Sequence, residues 1–150
     1  MTRADIDEVM AIEQDAFPKP WTRELMEREL KNPVSFPFIK RVKVNGEEML
    51  AGYMVIWIVY GDAHILDIAV APSLLRRGIA SGLISFALRF MTERGVAVVS
   101  LEVRRSNVAA IKLYEDYGFV EAYVRKMYYG DEDAVVMSLI LIEEDDIESF

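Results

Sequence analysis

Arg76-Arg77-Gly78-Ile79-Ala80 follows the strand-like run Ile68-Ala69-Val70-Ala71-Pro72 and opens the clearest helical pattern in the chain. A strand that feeds straight into a helix leaves the first helical N–H groups unpaired and pointing outward. A glycine and a small residue there let an anion approach the main chain, and the helix dipole favours it. Two arginines at the mouth add charge-assisted hydrogen bonds. This is phosphate-binding chemistry, although the same residues also read as a plain solvated helix start. Neither GxxxxGK[ST] nor GxGxxG occurs, so the inferred ligand is a phosphorylated cofactor of another kind. Glu102 stands mid-strand among Val98, Val99, Leu101 and Val103. Buried there, its pKa would rise toward values useful to a general base; facing outward, it would be an ordinary solvated carboxylate. His64, the sole histidine, alternates with Leu66, Ile68 and Val70 and reads equally as a packing residue. One His and no Cys supply neither a metal-ligand cluster nor a thiol nucleophile, so no metal is expected.

The bulk composition narrows the setting of these residues. A chain of 150 residues with 53% hydrophobic and 28% charged residues suits one domain with a real core. The absence of cysteine excludes a disulfide scaffold and a redox CxxC pair. A net charge of −8 argues against a basic face for nucleic acid. Five of the acidic residues fall in 143–150, which reads as a solvated tail, leaving 1–142 as the domain. The start lacks an apolar signal segment, and the longest apolar run, Met49 to Tyr60, is too short and too β-branched to span a membrane as a helix. A cytoplasmic location follows by default.

The elements that must position the chemistry are legible from periodicity. Thr2 and Asp5 have capping-box spacing before an amphipathic helix that Phe17-Pro18-Lys19-Pro20-Trp21 ends. Thr22 caps a second short helix that stops before Pro33. Phe38 to Val44 and Met49 to Tyr60 flank Asn45-Gly46 as a hairpin, and Gly61-Asp62 turns into a strand from Ala63 to Val70. A helix from Gly78 to Arg94 ends at Gly95; a strand runs from Val96 to Val103, and Asn107 caps a helix through Tyr117. Val120 to Tyr129 and Ala134 to Ile142 form a last hairpin around Gly130 and Asp131. The order α-α-β-β-β-α-β-α-β-β predicts an α/β (α+β) fold, a mixed sheet with helices on it.

Taken together, Ala16-Phe17-Pro18 with Trp21, Ile68-Ala69-Val70 before the turn, LEVRxSNxxAIxLYExxGF at 101–119, and Tyr128-Tyr129 before Glu132-Asp133-Ala134 resemble the GNAT superfamily of acyl-coenzyme A-dependent N-acetyltransferases. Within it they are similar to the RimI-type and archaeal branch that acts on N-terminal α-amines. The resemblance implies a largely antiparallel central sheet of six to seven strands with about four helices. It covers residues 4 to 142. The chain departs from the pattern at Leu75, where the family usually has Gln or Arg, and has only about four residues for the family's first strand.

The resemblance also implies roles. Acetyl-CoA would be the cosubstrate, with Ile68, Ala69 and Val70 lending main-chain groups to the pantetheine arm in the gap where this strand and the 98–103 strand splay apart. Its pyrophosphate would sit on Arg76, Arg77, Gly78, Ile79, Ala80 and Ser81, with Asn107 contacting the cofactor as well as capping its helix. Arg104, Arg105 and Lys112 are further candidates for the nucleotide phosphate, or plain surface charge. Glu102 would be the base, His64 would support deprotonation, and Tyr114 would protonate or hydrogen-bond the leaving thiolate. Phe17 and Trp21 would line the pocket for the acceptor's first residue, while Tyr128 and Tyr129 hold the peptide backbone, in a groove whose hairpin turn, Gly130 to Asp133, is shorter than usual.

An α-amine of pKa ~7.8 is roughly a tenth neutral at pH 7, whereas a lysine at ~10.4 is neutral to only a few parts in ten thousand. An α-amine acetyltransferase therefore needs little base assistance. The expected acceptor is a protein or peptide N-terminus, a ribosomal protein among the candidates, with no direct nucleic-acid or membrane partner and the oligomeric state open. Two other readings remain at this point: a lysine or polyamine N-acetyltransferase on the same fold, and a non-catalytic acyl-CoA-binding domain.

Overall fold

The computed structural model of the chain describes residues 1–142; the acidic tail assigned to 143–150 lies outside the described residues. Four α-helices occur among the described residues: α1 (Ile6–Ala16), α2 (Arg23–Glu29), α3 (Ile79–Glu93) and α4 (Val108–Asp116). The strands are β1 (Ser35–Val44), β2 (Glu47–Val59), β3 (Asp62–Val70), β4 (Val98–Arg104), β5 (Val120–Arg125) and β6 (Ala134–Ile140). They form a six-stranded sheet in the order β1-β2-β3-β4-β6-β5. The β1–β2, β4–β6 and β5–β6 ladders are antiparallel and the β3–β4 ladder is parallel. The expected fold class and element order are therefore observed, with six strands.

In the few residues before α1, where the family pattern has a strand, Arg3–Asp5 is a 3-10 turn. The Thr2 N–H donates to Asp5 Oδ2 at 2.7 Å, so the capping side chain curls the chain directly into α1. Asn45 and Gly46 both adopt positive φ, 52° and 82°, the geometry of the tight hairpin their sequence announces. Thr22 caps α2 by accepting from the Leu25 N–H at 3.2 Å.

The chain divides into two compact units, Met1–Trp57 with Leu66–Phe90, and Ile58–Ile65 with the chain from Met91. In the first, Ile6, Val9, Met10, Met26, Leu50, Tyr53 and Val55 are buried together with Ala69, Ala71 and Leu74. The β1–β2 register shifts between Lys40 and Arg41, which pair with Gly52 and Leu50 and so skip Ala51, a β-bulge. The freed Ala51 carbonyl accepts from the Ala71 N–H at 2.8 Å. In the second, Val99, Leu101 and Val103 of β4 are buried, as are Val135 and Met137 of β6, Tyr114 and Phe119. Among the described residues no helix is long and apolar enough to cross a membrane.

Candidate active site

β4 alternates between part-buried and buried positions, so Ser100, Glu102 and Arg104 share one face while Val99, Leu101 and Val103 fill the other. Burial on β3 follows the same period, with His64 in the less buried phase. The β3–β4 register pairs His64 with Ser100 and ends at Ile65 with Leu101. One step along β4, Glu102 Oε2 lies 2.5 Å from His64 Nε2, with 14% of the Glu102 side chain and 32% of the His64 side chain exposed. The sequence expectation was that burial would raise the Glu102 pKa. The structure reverses this: the His64 hydrogen bond, aided by the nearby charges of His64 and Arg125, outweighs desolvation and holds the carboxyl below its ordinary value. Glu102 is thus a carboxylate throughout the neutral range.

Arg104, next on that face, donates to Asp131 at 2.9 Å and to Glu132 at 3.0 Å, and its guanidinium lies 4.3 Å from the Tyr129 ring centroid. Its side chain is 13% exposed, so it organises the turn before β6 rather than offering itself to a nucleotide phosphate. Glu132 also accepts from the Ser106 N–H and hydroxyl, at 3.2 and 2.9 Å. Tyr128 and Tyr129 pack edge to face, 5.0 Å between centroids, with the Arg125 guanidinium 5.5 Å from the Tyr128 ring. Burial, with Tyr128 and Glu102 adding to it, pushes the Tyr129 hydroxyl up to about 12, so it stays an O–H donor at neutral pH. Both tyrosines were expected in the strand before a short turn, but β5 ends at Arg125 and the connection runs from Lys126 to Asp133. Asp133 causes this. Its Oδ1 accepts from the Met127 N–H at 2.9 Å, its Oδ2 from Lys126 Nζ at 3.3 Å, and Met127 turns to φ 51°.

Tyr114 is 5% exposed and meets Phe119 edge to face at 5.7 Å. Its backbone carbonyl accepts the Tyr117 and Phe119 N–H groups that close α4. Asn107 caps α4 through Oδ1, which accepts from the Ala110 N–H at 3.2 Å. The cap uses the carbonyl oxygen only, so the amide N–H₂ remains compatible with a second role.

The phosphate-type turn lies in the first unit. Arg76 and Gly78 take positive φ, 63° and 79°, and the ladder of α3 opens with Gly82 N–H to Gly78 carbonyl at 2.9 Å. The N–H groups of Ile79 and Ala80 precede that bond, and a Cβ built on Gly78 or Gly82 meets nothing within 4 Å. The residues present fit a diphosphate resting on main chain. Leu75 is 58% exposed. A Cβ on Gly52 would stand 2.8 Å from the Ala69 carbonyl oxygen and 3.2 Å from Ile79 Cγ2, so β2 needs glycine where it passes the end of β3 and the start of α3. Phe17 and Trp21 pack half-buried against this unit's core.

Sequence reasoning missed a buried polar group in this unit. Glu13 of α1 and Asp67 of β3 are 1% and 7% exposed, and the Tyr53 hydroxyl donates to Glu13 Oε2. The signal was present: Asp67 interrupts Ile65-Leu66-Asp67-Ile68-Ala69 in the buried phase of the strand, where an acid is rare unless paired. Arg125 was missed because no strand periodicity distinguishes it from a solvated edge residue.

The GNAT acetyltransferase family model matches residues 6–119. The [ribosomal protein bS18]-alanine N-acetyltransferase of Salmonella typhimurium is 34% identical over 148 residues, covering 93% of each chain. The crystal structure of the ribosomal-protein-S18-alanine N-acetyltransferase from Escherichia coli superposes with a TM-score of 0.83 at 33% identity, covering 97% of this chain and 94% of that one. Ard1 from Thermoplasma volcanium gives the same TM-score at 28% identity, with 95% of each chain covered. With its fold, its turn before α3 and its LEVR-to-GF segment all of one kind, the chain belongs to the GNAT acetyltransferase family.

Proposed function

We propose that this protein transfers an acetyl group from acetyl-CoA to the α-amine of a protein N-terminus, with an alanine-starting ribosomal protein as the foremost acceptor. The observation that carries the reading is the Glu102–His64 pair at 2.5 Å, an ionised carboxylate fixed in orientation by a ring N–H. Such a carboxylate attracts the cationic acceptor and, once the amine is neutral, takes the N–H proton that the nitrogen sheds as it attacks the thioester carbonyl and the thiolate leaves. Its depressed pKa makes it a weak base, which suits an α-amine already partly neutral and does not suit a lysine.

Coenzyme A supplies the activated thioester. Ile68 and Val70 would pair with its pantetheine arm through main-chain groups, the N–H groups of residues 76–81 would hold its pyrophosphate, and Arg76, Arg77 and Asn107 would also bind the cofactor. Tyr114, buried in α4, gives its proton or a hydrogen bond to the departing thiolate. Tyr128 and Tyr129 bind the acceptor backbone, and Phe17 and Trp21 line the pocket for its first side chain. Transfer is direct in a ternary complex, consistent with a chain that has no cysteine to carry the acyl group.

The test is thiol release from acetyl-CoA with peptides starting Ala, Ser, Thr or Met, beside N-blocked lysine peptides. Turnover on free α-amines is expected. Turnover confined to lysine would replace this reading with side-chain acetylation, and none on any acceptor would remove it.

A further inference from the structure

Glu13, Tyr53 and Asp67 lie in the first unit, on α1, β2 and β3, and reaction chemistry uses none of them. Tyr53 is fully buried. Glu13 spends its two oxygens differently: Oε2 accepts from the Tyr53 hydroxyl, and Oε1 accepts from the main-chain N–H of Trp21 at 3.0 Å. The second bond fixes the end of the Phe17–Trp21 loop eight residues away. Asp67 faces the same Glu13 carboxyl, yet its Oδ2 is buried with no donor among the described residues. Two buried carboxylates facing each other repel, and an acceptor with no donor is costly; one proton between them removes both problems. The groups acting on Asp67 are Glu13 and the Ile68 N–H, and those acting on Tyr53 are Asp67 and Glu13.

We propose that Asp67 carries a proton directed at Glu13 and that the two, with Tyr53, form a buried latch that holds the Trp21 loop in place, so that ionisation of Asp67 weakens acceptor binding rather than acyl transfer. The part about acceptor binding rests on the proposed role of Trp21 in the acceptor pocket; the latch does not. Burial and the Glu13 carboxyl push the Asp67 pKa up to about 9, which sets where the latch should open. Asp67 and Glu13 are positioning residues in this scheme.

The experiment reads Trp21 directly. Trp21 and Trp57 are the only tryptophans, so a Trp57→Phe background leaves Trp21 as the sole emitter. Its emission is titrated from pH 6 to 10 without substrate, with circular dichroism to follow the fold. Asp67→Asn keeps an uncharged side chain of the same shape that donates without titrating. The expected result is an emission transition near pH 9 that Asp67→Asn abolishes and Glu13→Gln moves to lower pH, since Asp67 then faces no carboxylate. In steady-state assays, the acceptor KM of the parent should rise about fivefold across that transition with kcat little changed, and stay flat in Asp67→Asn. No transition in the parent, or the same transition in Asp67→Asn, overturns the latch. A Trp21 transition with an unchanged acceptor KM keeps the latch but overturns its link to acceptor binding.

Discussion

Replacing Glu102 with Gln preserves length and a hydrogen-bonding partner for His64 while removing the charge. Two magnitudes separate the roles this carboxylate can play. If it only stripped a resting proton from the acceptor, the loss would be about tenfold at pH 7 and would fade by pH 9, because an α-amine of pKa ~7.8 is by then neutral. If it takes the proton during attack, the loss is roughly 10²–10⁴ and persists at high pH. The pair is part-exposed and the carboxyl is held low by His64, both of which weaken it as a base, so the lower end, about a hundredfold, is expected. The assay is kcat/KM for an alanine-starting peptide at saturating acetyl-CoA, from pH 5 to 9. A loss under threefold at every pH, or one that vanishes at pH 9, would refute Glu102 as proton acceptor. His64→Gln is the companion. Without the His64 bond and charge, desolvation pushes the Glu102 pKa upward, so the acid limb of the profile should move to higher pH.

Three further perturbations follow from the same geometry. Tyr114→Phe keeps the ring against Phe119 and removes the hydroxyl, so kcat should fall about tenfold with the acceptor KM little changed. Gly52→Ala drives a methyl against the Ala69 carbonyl at 2.8 Å, and should cost about 1–3 kcal/mol in a denaturation series while raising the KM for acetyl-CoA. Asp67, raised to about 9, binds a proton in the native state that the unfolded chain releases near its ordinary 3.8. Its contribution to stability is full below the unfolded value and declines as pH rises toward 9, by at most about 1.4 kcal/mol per pH unit. Asp67→Asn should remove that slope between pH 5 and 8, read from parallel urea titrations; parallel slopes in both proteins would contradict the assignment.

Local signals in the sequence carried most of the fold because they act over few residues. Asn45-Gly46, the Thr22 and Asn107 caps and the glycine after α3 each specify one turn by backbone chemistry, and each is found in place. The long-range pairings behaved otherwise. That Glu102 is an ionised carboxylate depends on His64, 38 residues earlier, across a parallel ladder no local pattern reveals. Arg104 read in the sequence as either a phosphate contact or plain surface charge, whereas its side chain is bound to Asp131 and Glu132, 27 and 28 residues later, at 2.9 and 3.0 Å. The last hairpin was misjudged because Asp133 binds the Met127 N–H through its side chain, an interaction that lengthens the turn and lifts Tyr128 and Tyr129 out of the strand. Glu13 and Asp67 were legible only as oddities of burial phase, and their pairing needs β3 and α1 side by side.

The central claim is that acetylation falls on a free α-amine. One peptide tests it: Ala at the N-terminus and a single internal lysine, incubated with the protein and acetyl-CoA, then fragmented by mass spectrometry. A single acetyl group on the alanine nitrogen and an unmodified lysine are expected. Acetyl on the lysine with a free N-terminus would contradict it.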